Sequence, residues 1–382
     1  MISSIHLGAR DPIRISAHRF EKSPFQSCWQ QPDMLMGVYA GRCYPIDVGD
    51  DEAEKYWLLR QKCALYDVPE RPIEIRGKDV VRFLERIFAR HVADVKEGRG
   101  RYVIACTPQG GIYMDGVLFR LSEDRYWVVQ PDGALVPWLI AYSGDFDVAI
   151  SDPASRVLQI QGPTSRDVMR AATSGAIGDD FKYFHSGFFD IGGQNLYVSR
   201  TGWTGEIGYE VYTQGNATDC PRLWNDLLEA GRPYGLQYST IRSMEIRRIE
   251  AGILDNLTDF DWTMTPFEAG LSAFLDLDQP NFVGRDALLA ASRLTRLFGV
   301  KCAAAKPSMG DVVSYAGKPA GRITAGAWSP FLNVGIGYVR FDEANAWLGH
   351  DMSIHTDGTD HPCSIVALPF YDPEKRIPRG LG

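Results

Sequence analysis

The 382-residue chain has no long apolar run, no paired cysteines and no excess of positive charge. Each absence closes a class of function. No window approaches the roughly 20 apolar residues that a membrane-spanning helix needs, so no membrane partner is expected. Lys and Arg number 40 against 48 Asp and Glu, a net charge of −8. Phosphate neutralisation needs the opposite balance, so no nucleic acid is expected either. The seven cysteines (Cys28, Cys43, Cys63, Cys106, Cys220, Cys302 and Cys363) stand singly, without a CxxC pair. An odd, dispersed set argues against a disulfide framework and against a zinc knuckle. The histidines do not cluster with cysteines or acids at ligand spacing, so no metal site is expected. The segment from Met1 to Arg19 lacks the apolar core of a secretory signal. The expected compartment is the cytoplasm. There is no internal repeat and no low-complexity segment.

What the chain does have is apolar material: 45% hydrophobic and 12% aromatic residues. Its length exceeds what one core serves, which predicts two or three domains. The first forty residues, rich in Pro, Gln and aromatics, read as an irregular arm. DDEAEKYWLLRQKC, from Asp50 to Cys63, reads as a helix with an acidic first turn that suits the helix dipole. RPIEIRG follows as a strand and KDVVRFLERIFAR as an amphipathic helix. RYVIACT, GIYMDGVLFRL and RYWVVQ are β-branched and aromatic runs separated by PQGG and SEDR turns. With an apolar helix around ALVPWLIAYS they predict an α/β unit of ferredoxin-like order. SDPAS marks its boundary. VLQIQGP then reads as a strand, TSRDVMRAAT as a helix, GFFDIGG with NLYVSRTGW as a hairpin, and CPRLWNDLLEAG as a helix. After about Gly284 short strands broken by Gly and Pro predict a small β-barrel.

The most informative run is RTGWTGEIGYEVY, Arg200 to Tyr212. It reads as strand, glycine-punctuated turn and strand. Gly202, Gly205 and Gly208 let the backbone approach something closely, with Trp203, Tyr209 and Glu210 beside them. The GxxGxxG spacing, followed by a strand, is not a dinucleotide fingerprint. Taken alone, such a run reads first as a tight turn around a packed Trp and only second as a site.

Five segments in order carry a resemblance. RTGWTGEIGYE resembles the RTGYTGEDGFE signature of the glycine-cleavage T-protein family. IRRIEAGIL resembles that family's LRLEAGL, and TPFEAGLSAFLDLDQPNFVGRDAL its TPLEAGLGW…FIGREAL. GGIYMDGVLFRL resembles GGVIDDLIVYRL, and AWSPFLNVGIGYV matches a stretch of the family's last domain. The resemblance implies an α+β fold of three domains in a ring around a folate site. On that pattern the discontinuous folate-binding domain covers 1–68 and 154–283, the ferredoxin-like domain 69–153 and the C-terminal β-barrel 284–382.

The resemblance also assigns roles. Asp115 matches the family aspartate facing the reactive nitrogens of tetrahydrofolate. A carboxylate there can stabilise a cationic nitrogen and accept its proton. The family has two acids at this point, whereas this chain has Met114-Asp115. Glu210 matches the glutamate that reads the donor-rich edge of the pterin. Tyr102, thirteen residues before Asp115, matches a folate-contacting tyrosine. Phe184 and Trp203 match pocket aromatics, and Arg248 an arginine near the glutamate tail or pterin.

Within the family, YDVPERPIEIRG replaces the FDVSHM run of the glycine-cleavage branch. Its Glu70-Arg71 pair resembles the dimethylsulfoniopropionate demethylase branch, as do Trp203 and Tyr209. Thr204-Gly205-Glu206 instead follow the T-protein. The resemblance therefore implies a tetrahydrofolate-dependent methyltransferase, a demethylase acting on a small methylated substrate such as a sulfonium or betaine. Trp203, Tyr209, Tyr39 and Phe184 would provide a partial aromatic cage for the cation, with Tyr39, Trp203 and Tyr209 touching the substrate. The alternatives are an aminomethyltransferase of a glycine-cleavage type and a non-catalytic folate-binding protein. The marker motif of the last, KGCYxGQE, is missing. Beyond the substrate, a homodimer is the one partner expected.

Overall fold

The computed structural model of the chain describes residues 16–381. Residues 1–15, most of the segment without a signal-like core, lie outside it. Where an irregular arm is expected, the chain forms a hairpin, β1 (Leu35–Tyr39) and β2 (Arg42–Asp47). Its turn residues Ala40 and Gly41 both have positive φ, 51° and 75°. That is the requirement of a tight turn matched to strand twist. Pro45 sits in β2 without penalty because the ribbon has only two strands, and both are edges.

The helix Glu52–Gln61 follows, capped by Asp51, whose carboxylate accepts from the Glu54 amide at 2.8 Å. It leads into β3 (Cys63–Val68). The chain then leaves this sheet to build another: β4 (Arg71–Arg76), β5 (Arg99–Cys106), β6 (Ile112–Ser122), β7 (Arg125–Gln130) and β8 (Ala149–Ser151). The second sheet is antiparallel, in the order β5-β6-β7-β4-β8. Its helices, Val80–Ile87 and Leu135–Tyr142, cover one face. β8-β4-β7-β6 is the ferredoxin-like order, and β5 adds an edge.

The chain returns as β9 (Val157–Gln161), β10 (Ser186–Ile191), β11 (Gln194–Ser199), β12 (Gly208–Tyr212) and β13 (Leu236–Tyr238). With β3 these complete a six-stranded sheet, β10-β11-β12-β9-β3-β13. The last part of the chain, β14 (Leu297–Cys302), β15 (Val312–Tyr315), β16 (Lys318–Ser329), β17 (Val334–Phe341), β18 (Asp351–Thr356) and β19 (Thr359–Val366), closes into a six-stranded barrel. Closure leaves no unpaired strand edge.

The six-stranded sheet is buried on both faces. One face packs Leu158, Ile160, Val198, Tyr209 and Val211 under the helices Ser165–Ala172 and Cys220–Gly231. The other brings Tyr66, Tyr197 and Tyr212 against Phe119 and Trp127 of the five-stranded sheet. A further cluster joins Ile104, Cys106 and Ile112 of the five-stranded sheet to Ile249 and to Ala325, Ile336 and Tyr338 of the barrel. The three units thus meet one another, as a three-domain ring requires.

The longest helix without a counterpart in the sequence-based expectation is Ile241–Glu250. It is buried along most of its length, including Arg247, Arg248 and Glu250. Its charges face inward and pair there, so its sequence shows no apolar stripe. Among the described residues no helix is long and apolar enough to cross a membrane. All seven cysteines are free.

Candidate functional site

The polar residues of interest lie where the two sheets face each other. Strand register explains why. Ser199 pairs with Glu210, Glu210 with Gln159, and Gln159 with Tyr66, so the four form a row across β11, β12, β9 and β3 on one face. On β6, Asp115, Val117 and Phe119 alternate onto the facing side of the five-stranded sheet, while Met114 and Leu118 turn to its helices.

Asp115 is 7% exposed. Its Oδ2 accepts from the Tyr102 hydroxyl at 2.8 Å, and its Oδ1 is buried without a partner. Tyr102 lies opposite Val117 in the β5–β6 register, which makes it the diagonal neighbour of Asp115. Its ring packs edge-on to Phe274 at 4.7 Å. Burial pushes the Asp115 carboxyl up to about 6; the Tyr102 hydrogen bond pulls the other way. A buried carboxylate with one uncommitted oxygen is an acceptor awaiting a donor.

Glu210 is held by four donors. Tyr212 (2.5 Å), Thr201 (2.6 Å) and Ser199 (3.3 Å) hydroxyls reach Oε2, and the Gln159 amide reaches Oε1 at 3.1 Å. Burial raises its pKa, and the three hydroxyls oppose that rise. Only Oε1 keeps room for a further donor.

The glycines of the central motif do serve close approach, but of the protein to itself. A Cβ on either Gly202 or Gly208 would collide with the Gln161 carboxamide, which Thr204 holds at 2.8 Å. Gly205, at φ 68°, lets the turn pass over Ala251. Trp203 is thereby laid against the Arg248 guanidinium, 5.0 Å from its ring centroid. Arg248 is itself buried and committed: to Glu245 (3.0 and 2.5 Å), to Asp259 (2.5 Å) and to the Ile253 carbonyl (3.2 Å). It is an anchor for Trp203 rather than a free cation.

Phe184 sits on the seam between the sheets. Its backbone is left-handed (φ 62°), and its carbonyl accepts from the Gly100 amide of β5 at 2.8 Å. Tyr39 enters from the N-terminal hairpin, its hydroxyl donating to Asp255 at 3.0 Å. Asp255, Glu70 and Asp115 all lie close enough to that hydroxyl to raise its pKa, after burial itself. Tyr209 does not join them. As the strand neighbour of Glu210 it points to the opposite face, stacked on Phe181 at 6.3 Å. The expected aromatic cage is therefore not assembled: Tyr209 is turned away and one face of Trp203 is taken by Arg248.

Residues without an assigned role also belong here. Gln159 and Gln161 are buried polar positions two apart in an otherwise apolar strand, a signal present in VLQIQ. Asp255 is pushed up to about 7, mainly by burial, against the pull of Arg248. Beside the glycine turn a small cavity is lined by Tyr183, Arg247, Tyr371, Asp372 and Lys375. Burial and then Arg379 depress the Lys375 pKa. No group of His, Cys, Asp or Glu among the described residues could hold a metal ion.

Comparison with known proteins gives a consistent result. Residues 31–279 match the sequence model described as "GCVT N-terminal domain", and residues 295–372 match "Glycine cleavage T-protein C-terminal barrel domain". The chain is 30% identical over 355 residues to an aminomethyltransferase of Streptomyces avermitilis, covering 89% of this chain and 94% of that one. An aminomethyltransferase of Halalkalibacterium halodurans is 27% identical, with 92% and 98% covered. The crystal structure of glycine cleavage system aminomethyltransferase T from Bartonella henselae superposes with a TM-score of 0.81 at 23% identity, over 92% of this chain and 98% of that one.

Proposed function

Because the chain belongs to the glycine-cleavage T-protein family of folate-dependent one-carbon transferases, we propose that it transfers the carbon of an aminomethyl donor to tetrahydrofolate, with release of ammonia. The observation that carries the proposal is Asp115: a buried carboxylate, steered by Tyr102, with one oxygen uncommitted. An N–H group of a reduced pterin fits that vacancy in the hydrogen-bonding pattern. Tetrahydrofolate supplies the amines that accept the carbon. Tyr102, Asp115 and Glu210 would hold it, with Phe184 and Trp203 as apolar walls.

Asp115 has the chemistry to take the proton shed by an amine as that amine gains carbon. Its raised proton affinity brings it nearer to neutral pH, where a general base works best. The hydroxyls of Ser199, Thr201 and Tyr212 keep Glu210 oriented, so it loses little freedom when a ligand docks. Burial between the sheets keeps water from competing for the activated carbon.

A second reading, methyl transfer from a sulfonium or betaine, is favoured by Pro69-Glu70-Arg71 standing where the glycine-cleavage branch has Ser-His-Met. It loses weight because the aromatic cage is incomplete. The relatives named above, all aminomethyltransferases, also favour the first reading. Seven unpaired thiols suit a reducing compartment such as the cytoplasm. The test is to supply tetrahydrofolate with an aminomethylated lipoyl carrier, and in parallel with sulfonium, betaine, methylamine and aryl methyl ether donors. Ammonia with methylenetetrahydrofolate is expected. Methylated folate from one of the small donors would replace this proposal with the second reading, and absence of any folate product would overturn both.

A further inference from the structure

Glu70 follows β3 in the two-residue link to β4. Its carbonyl is fixed by Arg42, whose Nη1 donates to it at 2.7 Å, so the position of the side chain is set by the N-terminal hairpin. Its carboxyl Oε1 accepts from Gln159 Nε2 at 3.2 Å, the same amide that donates to Glu210 at 3.1 Å. With the amide nitrogen spent on two carboxyl groups, the orientation of the Gln159 carboxamide is determined, and its oxygen is the free end. That oxygen, on a side chain with no exposure, has no partner. Neither has Glu70 Oε2, which is also buried. Two acceptors on adjacent side chains are thus left open, and the nearby carboxyl groups of Glu210 and Asp255 are acceptors as well. The groups that press on Glu70 are Glu210 from β12, Asp255 from the segment after helix Ile241–Glu250, and Arg42 from β2. Tyr39 of β1 lies nearby, with its proton already given to Asp255. With Glu70 ionised, no side chain among the described residues donates to the two open oxygens, and a buried acceptor without a donor is costly.

We propose that Glu70 and Gln159 form a subsite that binds a ligand group carrying at least two N–H donors, and that Glu70 is a specificity-determining residue for it. Resting on the folate-transferase reading above, the group has two sources: the amino-pyrimidine edge of the pterin, or the primary ammonium of an aminomethyl donor. Fully methylated cations, which have no N–H, do not satisfy it. Burial, then Glu210 and Asp255, push the Glu70 carboxyl up to about 8, opposed by its own backbone amide and then by Arg42. Without a ligand's N–H donors, Glu70 therefore holds a proton at neutrality. A docking N–H group favours the carboxylate, so binding releases that proton to solvent.

The test is calorimetry near pH 7 in two buffers of different ionisation enthalpy, on the wild type and on Glu70→Gln, which mimics the protonated side chain and should fold. One arm titrates tetrahydrofolate alone. The other titrates methylammonium chloride, with tetramethylammonium chloride as control, into the folate complex. The expected result is proton release in the wild type and its loss in Glu70→Gln, with at least tenfold weaker binding in one arm. Weakening in the folate arm identifies the pterin edge, and weakening in the methylammonium arm identifies the donor ammonium. If both ligands bind the variant within twofold of the wild type with unchanged proton release, the subsite is overturned while the folate reading stands. Tetramethylammonium binding as well as methylammonium would also overturn the N–H requirement for the donor. A wild type that binds no tetrahydrofolate overturns both.

Discussion

Replacing Asp115 with Asn separates stability from catalysis. In the folded chain the carboxyl is pushed up to about 6 from its ordinary value of 3.8 by burial. At about 1.4 kcal/mol per pKa unit, the rise corresponds to roughly 3 kcal/mol of cost for keeping the group ionised in the fold. The sign follows directly. A carboxyl with a raised folded pKa imposes no cost below about pH 4, where it is protonated in both states. The cost grows as the pH climbs to 6 and is complete above that. Asn carries no charge and keeps an acceptor for Tyr102. Asp115→Asn should therefore be more stable than the wild type by up to about 3 kcal/mol at pH 7.5, and equal to it near pH 4, by urea unfolding at both. Turnover should fall by a factor of about 100 to 1,000, as expected when a group stabilising developing charge is removed. Tetrahydrofolate affinity should change far less. A stability difference that does not vary with pH, or a variant with full turnover, would refute this account of Asp115.

Four other changes probe the surrounding structure. Tyr102→Phe removes the hydrogen bond that restrains the Asp115 pKa, so the acid limb of the kcat/KM profile should move to higher pH by on the order of one unit; an unmoved limb would detach Tyr102 from the titration. Glu210→Gln should weaken tetrahydrofolate binding about 10- to 100-fold in a tryptophan-fluorescence titration, the worth of a charge-assisted hydrogen bond; a change under twofold would remove Glu210 from the ligand site. Arg248→Met strands the buried Asp259 carboxylate and should cost about 3–5 kcal/mol in denaturant unfolding; a neutral result would mean that Arg248 is not the anchor described. Gly202→Ala drives a methyl group into the Gln161 carboxamide and should cost about 1–3 kcal/mol; an unchanged melting curve would show that the turn has slack.

Much of the fold is legible in the sequence because most strands are β-branched and aromatic runs bounded by Gly, Pro and Asp turns. β5, β6 and β7 fall where such runs predict them, and β14 to β19 fill the stretch read as short barrel strands. The helix Ile241–Glu250 is illegible for a physical reason. Arg247, Arg248 and Glu250 are buried by pairing with Glu206, Asp259 and one another, and pattern rules treat such residues as exposed. The hairpin β1–β2 is hidden because a two-stranded ribbon needs no strong apolar alternation. In the site, Tyr102 and Asp115 pair through a register that no single strand reveals. Strand alternation alone separates Tyr209 from Glu210, since neighbours on a strand face opposite ways. Glu70, Gln159 and Glu210 lie far apart in the chain and meet only when β9 is laid between β3 and β12. A sequence without pairing information cannot bring them together.

The central claim is that tetrahydrofolate binds against Asp115 and Glu210, and a crystal structure of the complex tests it most directly. The account predicts a reduced-pterin nitrogen within hydrogen-bonding distance of Asp115 Oδ1, the oxygen left without a partner, and the pterin stacked among Tyr102, Phe184 and Trp203. Folate bound at another surface, with Asp115 Oδ1 still unpaired, would contradict it.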